Sequence, residues 1–135
     1  MAKKSWVYSP RKQSKSKVPD SLKQTVKAKA DELVESVLIP QYVKPPPEDN
    51  DFNYIANLYT KWYRRYFYFC STYNVRGRHA MASSFEDKFA RLEYVSGDRF
   101  HLAFKRYTDQ WVEIAYDIRL DEALEMIKEG GVFHP

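Results

Sequence analysis

The sequence contains one cysteine and only four glycines among its 135 residues, and each scarcity excludes a class of feature. One cysteine cannot form an internal disulfide, which agrees with a reducing compartment. The glycine-containing segments "VRGRH" and "SGD" lack the spacing of a phosphate-cradling motif. A glycine-rich nucleotide loop is therefore not expected.

Long apolar runs are also missing from the chain. No stretch approaches the roughly 18 apolar residues that a membrane-spanning helix needs. The first twenty residues lack the apolar core of a secretory signal. We therefore expect a cytoplasmic protein with no membrane partner.

Residue types that perform chemistry are sparse and scattered. His79, His101 and His134 have no Cys, His or carboxylate at metal-ligand spacing, so neither a metal nor a cofactor is expected. His101 beside Glu93 could act as an acid or base, but a solvent-facing cross-strand pair is far commoner. Cys70 lies among apolar residues, where a thiol is usually inert. No motif supports enzymatic activity.

The sequence is rich in aromatic residues, and its charged residues are segregated into blocks. It contains 11 tyrosines, 8 phenylalanines and 3 tryptophans, well above the usual share. Residues 1–18 carry six basic residues and no acid, and residues 52–85 carry five and no acid. The other segments are mildly acidic, so two basic blocks lie on an acidic body.

Residues 1–18 predict a flexible basic arm, because they show neither helical nor strand periodicity. The arm is either a solubilising tail or a docking segment that becomes ordered on a partner. Arg11 and Lys12 suit phosphate contacts, whereas Trp6 and Tyr8 suit a protein interface. Residues 19–135 are expected to form a single domain.

Apolar residues at spacings of three and four predict a first helix from Asp20, capped by Asp20 or Ser21 and ended by Pro40. Residues 44–51, "KPPPEDND", predict a stiff acidic linker. A second helix is expected from Asp51 to Tyr73, because its aromatic residues occupy one half of a helical wheel. Alternate positions, as in a strand, separate polar from apolar residues less well there.

The last third of the chain predicts an antiparallel meander. The segments "KFARLEYV", "RFHLAFKR" and "WVEIAY" alternate and are separated by turn signals. The expected register aligns Leu92 with Leu102 and Ile114, and Tyr94 with Phe100 and Tyr116. A short helix follows, with Asp121 as its N-cap and Gly130 as its end.

Together these elements predict an α+β fold with two N-terminal helices, a three-stranded antiparallel meander and a short C-terminal helix. Helices and strands are segregated along the chain, so we expect the helices to pack on one face of the sheet.

Two functions remain open for such a fold. The first is a non-catalytic nucleic-acid-binding protein that uses the arm and a basic helix face. Its proposed contacts are Lys61, Arg64, Arg65, Tyr68, Arg76, Arg78, Arg11 and Lys12. The alternative is an adaptor that binds a protein partner through Trp6, Tyr8 and a projecting Trp111.

Overall fold

The computed structural model describes residues 17–45, 53–75 and 83–135. These residues form one N-terminal helix, a five-stranded antiparallel sheet and one C-terminal helix. The sheet has the strand order β1-β2-β3-β4-β5. Most of the predicted arm (1–16), most of the linker (46–51) and residues 76–82, which include the predicted contacts Arg76 and Arg78, lie outside the described residues.

The N-terminal helix α1 begins as Asp20–Leu33, continues through a π-helical segment, Val34–Leu38, and ends with the turn Ile39–Tyr42. The strands are β1 (Tyr54–Tyr63), β2 (Tyr66–Asn74), β3 (Ser84–Ser96), β4 (Arg99–Lys105) and β5 (Trp111–Arg119). The C-terminal helix α2 spans Leu120–Glu129, and a single 3-10 turn, Gly131–Phe133, follows it.

The prediction of a second N-terminal helix is wrong, because the segment forms the β1–β2 hairpin. Tyr63 pairs with Tyr66 across a two-residue turn, and Trp62 pairs with Phe67. A two-residue turn reverses the phase of the alternation, so even-numbered residues from Leu58 to Trp62 face the helices in β1, and Phe67 and Phe69 do so in β2. A single alternation across the whole segment therefore fails although both halves are strands. The predicted three-stranded sheet consequently has five strands.

The three strands of the predicted meander are present, with part of the expected register. Leu92 pairs with Leu102 and Tyr94 with Phe100, as expected. The alignment of Ile114 and Tyr116 is wrong, because bulges shift β5 so that Leu102 pairs with Ala115 and Phe100 with Ile118. Ile114 and Tyr116 are exposed as a result.

Helix α1 runs past Pro40, which was expected to end it. The π-helical segment widens the backbone just before this proline, which has no N–H to donate, and one further turn forms. The predicted caps also differ: Pro19 precedes α1 without a side-chain cap, and Arg119 precedes α2. Gly130 ends α2 with a φ of 86°, a conformation that favours glycine.

Both helices pack on one face of the sheet and form a continuous core with it. Helix α1 contributes residues at four-residue spacing, and α2 contributes its own apolar stripe. The buried helix residues are Val26, Ala30, Val34, Leu38, Leu120, Ala123 and Ile127, and the sheet supplies Phe67, Phe69, Leu92, Phe100 and Leu102. Within the described ranges, no helix is long and apolar enough to cross a membrane. The helices leave the opposite face of the sheet for other contacts.

Cys70 gives a test of this packing. Its side chain is fully buried in β2, and burial raises the pKa of the thiol above its ordinary value of 9.0, against the opposing effect of nearby lysines. We expect Cys70 to resist an aromatic disulfide reagent in the native protein and to react once urea unfolds it. The free energy of unfolding should fall as the pH rises above 9.0, because the unfolded thiol loses its proton first.

The control for the pH effect is Cys70→Ala, which removes the titrating thiol. Urea unfolding curves of both proteins across the alkaline range should show a shallower loss of stability in the variant. Rapid labelling of native Cys70, at the rate of the unfolded chain, would contradict the hairpin packing described above.

Candidate nucleic-acid interface

The sheet surface opposite the helices gathers aromatic and basic side chains, and we call it the open face. Strand alternation places residues from β1, β2, β3 and β5 on it. The open face is defined here as Lys61, Tyr63, Tyr66, Tyr68, Lys88, Arg91 and Trp111. Its rings and cations come from separate parts of the chain and meet only through the strand order.

Arg91 lies at the centre of the open face between two rings. Its guanidinium carbon is 5.0 Å from the ring centroid of Tyr66 and 4.9 Å from that of Trp111. Glu113 lies 3.8 Å from the same guanidinium, whose side chain is only 15% exposed. Cation–π contacts strengthen when the cation is desolvated, so this arrangement fixes both rings. Trp111 is packed within the face rather than projecting from it.

Tyr68 connects this cluster to the neighbouring lysines. Its ring centroid is 6.0 Å from that of Tyr66 and 5.9 Å from that of Trp111, and the Lys88 ammonium lies 5.5 Å from its centre. Burial raises the pKa of Tyr68, while Arg91 acts in the opposite direction. The phenol therefore stays neutral and can donate a hydrogen bond near neutral pH.

A cavity of about 360 Å³ opens beside Tyr68. It is lined by Lys61, Trp62, Tyr63, Tyr68 and Lys88. Within the described residues, both lysines bond to one acid: the ammonium groups of Lys61 and Lys88 lie 2.9 Å and 3.0 Å from Glu86. One carboxylate between two ammonium groups leaves a net positive charge at the rim of the cavity.

The β1–β2 turn places two further cations at the end of the open face. Arg64 has a φ of 55°, a left-handed conformation that usually favours glycine. Its guanidinium lies 5.2 Å from the ring centroid of Tyr63. Arg65 instead donates to the carbonyl of Tyr94, and the Tyr94 N–H donates to the Arg65 carbonyl at 2.9 Å. Arg65 thus holds the turn against β3, whereas Arg64 is exposed.

The structure brings together part of the predicted site. Lys61, Tyr68 and Trp111 share the open face, although Trp111 was assigned to a different function, and Arg64 and Arg65 lie at the turn beside it. The prediction of a basic helix face is wrong, since these residues lie on strands and a turn. The predicted contacts at Trp6, Tyr8, Arg11, Lys12, Arg76 and Arg78 lie outside the described residues. Sequence reasoning did not assign Tyr63, Tyr66, Lys88 and Arg91 to this site.

The predicted pairing of His101 with Glu93 is present in the β3–β4 register. The Nδ1 atom of His101 accepts a hydrogen bond from the backbone N–H of Asp117 at 3.1 Å, and its ring contacts Tyr116. These contacts hold the imidazole of His101, a β4 residue, against strand β5. Across the ranges that the structure covers, no group of three or more His, Cys, Asp or Glu residues could hold a metal ion.

Comparison with known proteins places the chain in a family. A family model described as "Domain of unknown function (DUF3024)" matches residues 18–135. The chain belongs to the DUF3024 family. The DUF3024 match includes both helices, all five strands and thus the whole open face. No curated protein and no solved structure matches the chain.

Replacing Arg91 with lysine tests whether the ring cluster holds the open face together. Lysine keeps the charge but cannot stack a planar group between Tyr66 and Trp111. We expect Arg91→Lys to lower the free energy of unfolding by about 1–2 kcal/mol, measured by urea denaturation. Arg99→Lys is the matched control, since Arg99 lies on the next strand with a side chain that is 46% exposed. Equal effects of the two substitutions would refute the special position of Arg91.

Proposed function

We propose that the protein binds single-stranded nucleic acid on the open face of its sheet. The observation that supports this most directly is the cavity in which two tyrosine rings and two lysines converge. Aromatic rings stack on unpaired bases, and neighbouring ammonium groups neutralise the phosphates between them. The site requires no cofactor, and we propose that it operates in the cytoplasm.

Tyr63 and Tyr68 have different parts in this proposal. Tyr63 is 56% exposed, so its ring offers a surface on which a base can stack. Tyr68 is held between Trp111 and Lys88, and it forms a fixed wall of the cavity. A base entering beside Tyr63 would meet a rigid aromatic surface, which reduces the entropy lost on binding.

The strand must be single for such contacts. In a duplex the faces of the bases are stacked on one another and are closed to protein side chains. The rings of the open face lie within a cavity and along a sheet, where they can stack on an unpaired base. We therefore propose weaker binding to duplexes than to single strands.

Glu86 limits the affinity of the open face for phosphate. It pairs with Lys61 and Lys88, the same cations that a phosphate would contact. A bound phosphate must share or displace this carboxylate. Since these pairs are partly exposed and worth little on their own, a phosphate can compete for them.

Fluorescence polarisation with a labelled oligothymidylate tests the proposal. We expect binding that weakens as salt rises, with a log–log slope of about −0.7 for each phosphate contacted. Tyr63→Ala should weaken binding about tenfold, because stacking contributes about 1–3 kcal/mol per base. Glu86→Gln should strengthen binding, because it removes the acid that competes with phosphate.

The matched control is Tyr116→Ala. Tyr116 is 61% exposed, close to the value for Tyr63, but it lies on β5 beside His101. Its removal should leave the affinity unchanged. No binding at low salt, or an equal loss in both tyrosine variants, would reject the open face as the binding surface.

A protein-binding adaptor is the competing proposal, and the edge strand β5 favours it. Ile114 and Tyr116 on this strand are exposed, and an edge strand has backbone groups that can pair with an extended peptide. On this proposal the partner adds a strand to β5 and the open face has no nucleic-acid ligand. The same titration separates the two proposals, because an adaptor shows no salt-dependent binding to oligothymidylate.

A further inference from the structure

Glu86 on β3 joins the two lysines that line the cavity beside Tyr68. The Lys61 ammonium lies 2.9 Å and 3.0 Å from the carboxylate oxygens Oε1 and Oε2, and the Lys88 ammonium lies 3.0 Å from Oε1. Alternation along β3 places Glu86 on the same face as Lys88, two residues further on. Both cations therefore hold this acid at the rim of the cavity.

The Glu86 carboxylate keeps the capacity to accept a further hydrogen bond. A carboxylate has about four positions at which it can accept, two on each oxygen. Among the described residues, Oε1 accepts from both lysines, whereas Oε2 accepts from Lys61 alone. The side chain is 32% exposed, so a ligand can reach the remaining position. The rim thus presents two cationic donors and an anionic acceptor side by side.

The position of Glu86 is unfavourable for a cavity that contacts only phosphate and a base. Its negative charge repels a phosphate and lies against the two ammonium groups that would bind one. The ion pairs themselves are partly exposed, and such pairs add little stability. A hydroxyl group on the ligand changes this balance, because an O–H donates to a carboxylate in a strong, charge-assisted hydrogen bond.

We propose that the cavity binds single-stranded RNA in preference to DNA, with Glu86 accepting a hydrogen bond from a ribose 2′-hydroxyl, a proposal that rests on the function given above. The 2′-hydroxyl distinguishes RNA from DNA and can donate. In a nucleotide the sugar lies between base and phosphate. A base on Tyr63 and a phosphate on the lysines therefore bring the sugar towards the acid that joins those lysines. Each ammonium has three N–H donors, so it can contact a phosphate while it holds Glu86.

Three oligonucleotides of one sequence test this preference on the unaltered protein. Labelled oligouridylate, oligodeoxyuridylate and 2′-fluoro-oligouridylate share their bases and phosphates and differ only at the 2′ position. The 2′-fluoro sugar keeps a ribose-like pucker but has no hydroxyl to donate. In fluorescence polarisation, we expect oligouridylate to bind about tenfold more tightly than either analogue. This ratio should change little with salt, because all three strands carry the same phosphates.

Glu86→Gln in the full chain tests the residue, with Glu113→Gln as its matched control. The two acidic side chains are 32% and 29% exposed, and each pairs with a cation of the open face, but Glu113 pairs with Arg91. Glu86→Gln should reduce the preference for oligouridylate to about twofold or less, because a neutral amide oxygen is the weaker acceptor. Binding of oligodeoxyuridylate should strengthen at the same time. Glu113→Gln should leave the preference at its native value.

A purely structural role for Glu86 predicts a different result. Its removal would then change the Tm and shift the affinities for all three oligonucleotides by one common factor, so that their ratios stay the same. Equal binding of the three strands by the native protein, or a preference that Glu86→Gln leaves unchanged, would overturn the hydroxyl contact while leaving stacking on the open face intact. No binding of any strand at low salt would reject the open face and this inference together.

Discussion

The length of the β1–β2 turn determines how the aromatic residues are divided between core and surface. Two residues separate Tyr63 from Tyr66, so Trp62 and Phe67 share one face although five positions separate them. Because side chains alternate along a strand, one added residue would move Phe67 and Phe69 from the core to solvent. The Arg65 bonds to Tyr94 hold the turn at this length and attach it to the third strand. The open face exists because this register is fixed.

The sequence predicted the C-terminal half of the fold well and the N-terminal hairpin poorly, for a physical reason. The meander strands alternate cleanly and have turn residues such as Gly97 between them. The β1–β2 turn has two arginines where a hairpin turn usually has glycine or asparagine. Arg64 adopts the positive φ that such a turn requires. Because this segment is so rich in aromatic residues, they fill one half of a helical wheel although the segment is not a helix. The strand preference of Tyr, Phe and Trp was the better guide.

The candidate site was partly predictable because basic and aromatic residues are concentrated in one segment. Lys61 and Tyr68 could be named from sequence, but Lys88, Arg91 and Trp111 join them only through cross-strand register. Counts of charge along the sequence also do not show which residues form ion pairs. Glu86 lies 25 positions from Lys61 and still pairs with it. The shift of β5 by bulges is a further feature that alternation alone does not reveal. In the backbone, this irregular part of β5 includes Asp117, which has a φ of 55°.

Burial separates the cations that stabilise the open face from those that can act on a ligand. The side chain of Arg91 is 15% exposed and lies between two rings, so a phosphate could reach it only by breaking the cluster. Lys61 and Lys88 are 43% and 32% exposed and share one acid, so exchanging a carboxylate for a phosphate costs little. Arg64 is exposed, and its one ring contact among the described residues is with Tyr63. Its positive φ is the conformation that a two-residue hairpin turn requires at its first position, so the turn itself accounts for the strained backbone.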